Sequence, residues 1–154
     1  MTSPTSALFF EDLHVGLAID SEPRTVSADD AIRFATEFDP QPQHISAEAA
    51  RHSMFGELVL SGWHTASLTM RMQYDAVLSR FPGGTLGAQV DTLAWRRPVR
   101  PGEPLRARVE VLALRESRSR PDRGLVTIRT STLDANGAAV MQMEATVMVP
   151  RRPA

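Results

Sequence analysis

Asp39 and His44 stand five residues apart in the segment Asp39-Pro40-Gln41-Pro42-Gln43-His44. A carboxylate and an imidazole held close together can grip one water molecule and exchange protons with it, which is general acid–base chemistry at neutral pH. Each residue taken alone has a plainer explanation. Asp39 fits the Asp-Pro turn that closes a helix, and a lone histidine is more often a surface or structural residue. The segment around them is stiff, however. Pro40 and Pro42 fix two φ angles and push Asp39 and Gln41 toward extended backbone, so both side chains can point into one cavity.

Other chemistries are closed off by composition. All 17 basic residues are arginine, and without lysine there is no Schiff base or amine nucleophile. With no cysteine there is no thiolate, disulfide, iron–sulfur cluster or Cys-type zinc site. Four histidines without His-Glu-x-x-His spacing give no expectation of a metal. A formal net charge of -1 provides no general field for nucleic acid or an anionic membrane. No stretch approaches the roughly 20 apolar residues that cross a bilayer. The first residues lack a basic stretch followed by an apolar run, so no signal peptide is expected, and a cytoplasmic location fits the missing cysteines.

The elements that position Asp39 and His44 follow from pattern. A strand is expected around residues 18–25. Ser27 with Asp30 has capping-box spacing, and Ala31, Phe34, Ala35 and Phe38 form one apolar helical face that ends at Asp39 before Pro40. Ser46 caps a short helix through Arg51, and Met54-Phe55-Gly56 marks a turn. Ser61-Gly62 opens the longest helix, running to about Arg80. Residues 62–70 carry no Asp, Glu, Lys or Arg, which predicts burial on most sides. Four strands follow, around residues 86–90, 105–113, 126–132 and 141–149, with period two clear in the second and fourth and Asp134-Ala135-Asn136-Gly137 as a hairpin turn. The expectation is an α+β fold in one domain over residues 9–150, with flexible ends at 1–8 and 151–154: a long helix against one antiparallel sheet.

In this order and spacing the chain resembles the MaoC-like dehydratase, or (R)-specific enoyl-CoA hydratase, family. Three elements carry the resemblance. The first is the Asp39 to His44 loop, similar to the family pattern Asp, any residue, Asn, Pro, any residue, His; here Gln41 replaces the asparagine. The second is Leu58-Val59-Leu60 leading into Ser61-Gly62. The third is Arg97-Pro98-Val99-Arg100-Pro101-Gly102-Glu103. The resemblance implies a hotdog fold, an antiparallel sheet wrapped around the central helix, and pairing into homodimers. It implies an acyl-CoA thioester as substrate, no cofactor, and addition of water to a trans-2-enoyl thioester by Asp39 and His44 to give an (R)-3-hydroxyacyl product.

Such an addition also needs a group that holds negative charge on the thioester oxygen. The N-terminus of the long helix offers unpaired N–H groups. Gly62 is either the close-approach residue there or a tight-packing glycine, and Ser61 either bonds to the catalytic loop or is a plain cap. Gln41, Pro42, Trp63 and Phe55 are candidate pocket walls. Arg96, Arg97 and Arg100 either meet coenzyme A phosphates or form a solvated turn. Two other functions compete. A hotdog thioesterase places a carboxylate on or near the central helix, and the first two turns after Gly62 have none. A non-catalytic acyl-thioester-binding subunit has only Gln41 in its favour.

Overall fold

The computed structural model describes residues 6–154. A helical turn, Phe10–Asp12, leads to strand β1 (Ala18–Asp20). Helices α1 (Ala28–Phe38), α2 (Pro42–Ile45), α3 (Ala47–Ala50) and α4 (Gly62–Ala76) follow, and a further turn, Leu78–Arg80, comes after α4. Strands β2 (Leu86–Trp95), β3 (Arg106–Glu116), β4 (Arg123–Leu133) and β5 (Ala139–Pro150) complete the chain. The five strands make one antiparallel sheet in the order β1-β3-β4-β5-β2. With α4 against one face, this is the α+β hotdog arrangement.

Alternation decides which side chains meet α4. Ala107, Val109 and Val111 of β3 are buried, and Val109 is paired with Thr130 and Val111 with Ile128 on β4. The intervening Arg108 and Glu110 face outward, where Asp20 binds both Arg106 and Arg108 and Arg129 binds Glu144. Two apolar clusters fill the inside. One gathers Val77, Phe81, Val111, Val126, Ile128 and Val149; the other gathers Val26, Ala31, Leu60, Met72, Leu105 and Met141.

A polar seam ties α4 to β4. Thr69 Oγ1 lies 2.6 Å from Thr132 Oγ1, and Thr130 Oγ1 donates to Gln73 Oε1 at 2.9 Å, all four residues being buried. Buried polar groups are tolerable when paired and costly when not. The seam therefore accepts one rotational setting of α4 and penalises the others.

Several expectations need correction. The long helix is not buried on most sides: its buried residues are Thr65, Thr69, Met72 and Gln73, while Trp63, Met70 and Tyr74 are about half exposed. Absence of charge marked this helix, but hydroxyls and an amide took its inner face. α4 also ends at Ala76. On α1, Ala31 and Ala35 are buried, but Phe38 is 66% exposed, because the helix end projects past the core. The first strand is shorter than residues 18–25: its register with β3 runs to Asp20, Ser21 N–H donates to Ala107 O, and an isolated bridge joins Arg24 to Leu105.

The ends also differ from the sequence expectation. Residues 1–5 of the expected N-terminal tail lie outside the described residues, but Leu8 is buried in the core and its N–H donates to Arg80 O. At the other end Arg151 binds Glu11 and Glu116, and Arg152 binds Asp12 with its guanidinium over Phe9. Those pairs hold the first two residues of the expected C-terminal tail.

Candidate active site

Local sequence explains how the loop is shaped. Asp39 is the last residue to bond into α1, its N–H reaching Ala35 O at 2.8 Å, and at φ -154° it has left the helical region as Pro40 requires. The segment to His44 is not all loop. Pro42 starts the one-turn helix α2, at a position where its missing N–H costs nothing. That turn carries His44 back toward Asp39.

His44 is buried and held at both nitrogens. Its Nδ1 lies 2.8 Å from Val59 O; a carbonyl only accepts, so Nδ1 carries the proton. Nε2 then faces Asp39 Oδ2 at 3.6 Å. Gln43 Nε2 approaches His44 Nε2 at 3.4 Å and Gln41 Oε1 at 3.3 Å.

Asp39 receives two donors. Ser61 Oγ donates to Oδ2 at 2.6 Å and Gln41 Nε2 to Oδ1 at 2.8 Å. The Ser61 hydroxyl, with the Gln41 amide second, holds the carboxyl below the ordinary aspartate range, against burial, which pushes it up. The side chain is therefore an ionised acceptor at neutral pH. Gln41, where the family has asparagine, still spans the distance to the carboxylate.

Ser61 does both things the sequence offered. Its hydroxyl reaches the loop and accepts the Trp63 N–H at 3.3 Å as the cap of α4. Gly62 is packed tightly: a Cβ there would sit 2.8 Å from Cε2 and Nε1 of Trp95, whose Nε1–H donates to Gly62 O at 2.8 Å. Its place at the first position of α4 leaves its own N–H without a partner inside the helix. Asp39, Gln41, His44, Phe55, Gly62 and Trp63 all line one cavity of about 490 Å³. Pro42 does not line it; it lines a neighbouring depression with Met54 and Phe55.

The three arginines separate. Arg97 binds both Glu103 and Asp134, and Arg100 binds Glu57. The Arg96 guanidinium approaches Gln142 at 3.4 Å, and Arg96 lines the cavity with Arg97. Of the histidines outside the pair, His14 and His52 are exposed, while His64 stacks on Phe34 with centroids 4.4 Å apart. Burial pushes the His64 pKa down.

Sequence reasoning missed Gln43, Trp95 and Thr65 as cavity residues. Gln43 was inside the singled-out loop. Trp95 and Thr65 gave no signal, since a strand-end indole and a mid-helix threonine read as ordinary packing.

The MaoC like domain family model matches residues 14–133. The chain belongs to this family. It is 33% identical to a 3-hydroxybutyryl-CoA dehydratase of Methylorubrum extorquens, over 94% of this chain and 86% of that protein. It is also 33% identical to an (R)-specific enoyl-CoA hydratase of Rhodospirillum rubrum, over 94% of this chain and 93% of that one. Among solved structures, a MaoC-like dehydratase from Rhodospirillum rubrum superposes with a TM-score of 0.89 at 47% identity, covering 96% of this chain and all of that one. This MaoC-like chain is thus a hydratase/dehydratase by family.

Proposed function

We propose that this MaoC-like protein interconverts a trans-2-enoyl thioester and an (R)-3-hydroxyacyl thioester, with Asp39 and His44 as the acid–base pair. The observation that carries the reading is the 3.6 Å approach of Asp39 Oδ2 and His44 Nε2 beside a cavity that also holds the start of α4. In hydration the pair binds one water. One proton leaves the water as its oxygen bonds to C3, and one proton is delivered to C2. Negative charge passes to the thioester oxygen in between, and the Gly62 N–H with the positive end of the α4 dipole stabilises it there. Dehydration is the reverse. The two side chains and one helix amide cover every step, so the reaction needs no cofactor.

The named relatives favour coenzyme A as the carrier. A homodimer in the cytoplasm is the working assembly. Trp63, Met70 and Tyr74 on α4, with Leu86, Val90 and Trp95 on edge strand β2, are large exposed apolar side chains that a second copy would cover.

The test mixes the protein with crotonyl-CoA and follows loss of enoyl-thioester absorbance and release of free thiol together. Absorbance lost without thiol, and abolished in Asp39→Ala and His44→Ala, is the expected result. Thiol release would make the protein a thioesterase. No change with several enoyl chain lengths would leave acyl-thioester binding as the function.

A further inference from the structure

The hydroxyl-bearing residues of the helices mostly follow one habit. Thr36, Ser67 and Thr69 each donate back to the carbonyl four residues earlier. Thr65 makes no such bond, and its hydroxyl has no partner among the described residues, although the residue is only 2% exposed. Its carbonyl accepts from Thr69, but its own Oγ1 is left over. It lines the cavity of the acid–base pair and is the only hydroxyl residue among the described residues that do. The same cavity is lined by the apolar side chains of Val59, Leu60, Trp63 and Trp95. The hydroxyl is not sealed off, since the fully buried side-chain N or O atom without a partner among the described residues is His64 Nδ1; Oγ1 is instead open to the cavity, where a molecule that enters can be its partner.

Position indicates which part of the substrate meets it. Resting on the function proposed above, the thioester oxygen lies at the Gly62 N–H. Thr65 is three residues further along α4, a rise of about 4.5 Å. Three bonds of an extended chain, from the thioester carbon to C4, span about 3.8 Å, as between successive Cα atoms. An acyl chain running into the cavity along the first turn of α4 therefore brings C4 level with Thr65.

We infer that Thr65 is a specificity-determining residue that hydrogen-bonds a polar substituent at C4, so that the preferred acyl group is short and oxygenated there. A hydroxyl on C4 can donate to or accept from Oγ1, whereas a plain methyl leaves Thr65 unpaired. Selectivity against an analogue that lacks the matching polar group follows from that mismatch.

The experiment measures kcat/KM for 4-hydroxycrotonyl-CoA and for crotonyl-CoA with wild type, Thr65→Val and Thr65→Ser. The quantity read is the ratio of the two. The inference expects the ratio to fall about tenfold in Thr65→Val, the isosteric variant without a hydroxyl, and to stay within about twofold of wild type in Thr65→Ser. A ratio unchanged in Thr65→Val, or lost equally in Thr65→Ser, would overturn the inference while hydration itself stands; the hydroxyl would then serve a buried water. A wild-type protein that hydrates neither thioester would overturn the proposed function, and this inference with it. If Thr65→Val fails to fold, the wild-type ratio decides: a preference for crotonyl-CoA refutes the inference and a preference for the hydroxylated thioester supports it.

Discussion

Ser61 Oγ donates to Asp39 Oδ2 at 2.6 Å, joining the residue that caps α4 to the residue that ends α1. The bond is the largest cause of the lowered Asp39 pKa. A carboxyl held below its ordinary value contributes stability that is present above the ordinary range and lost as pH falls through the folded-state value. Ser61→Ala removes the donor and raises that value. Both the acid limb of kcat/KM and the acid unfolding midpoint are expected to move to higher pH, read by rate profiles and by circular dichroism across an acid titration.

Asp39 and His44 act on one water in the proposed reaction, so their losses do not add. Asp39→Asn and His44→Gln are each expected to lower kcat by about 10²–10⁴. The double variant is expected to be no slower than the slower single variant by more than a few-fold. Independent, multiplying effects in steady-state rates would contradict a shared water.

How legible this arrangement was depends on chain distance. The Asp39 to His44 loop could be read because two prolines and a helix end constrain it locally. The strands could be read because alternation over Val109, Val111, Val147 and Val149 is a local pattern. The polar seam could not: Thr69 meets Thr132 across 63 positions, and nothing near either threonine signals the other. Trp95 over Gly62 was hidden for the same reason, since its contact depends on where β2 ends relative to α4. Leu8 was assigned to a tail because its polar neighbours masked one residue that reaches the core.

The seam makes its own prediction. Thr69→Val leaves Thr132 buried without its hydroxyl partner, and the expected cost is about 1–3 kcal/mol. Replacing both threonines by valine removes the orphaned group and restores much of that stability. Urea denaturation of the two single variants and the double variant checks the sign of the coupling.

Gly62→Ala is expected to damage the site through Trp95. The added Cβ would stand 2.8 Å from the indole, so the ring must move and its bond to Gly62 O weakens. Overpacking of this kind costs about 1–3 kcal/mol. The expected signs are a lower melting temperature, a shifted tryptophan emission and reduced turnover. Combining Gly62→Ala with Trp95→Leu makes room for the methyl and is expected to recover the stability.

Asp39 has both carboxylate oxygens occupied by donors from its own chain, Ser61 on one and Gln41 on the other. Its rotational freedom is thus surrendered during folding, before any substrate arrives. Calorimetry should accordingly show association entropies that track the flexibility of the acyl chain entering the cavity, with little contribution from ordering of the carboxylate that awaits it.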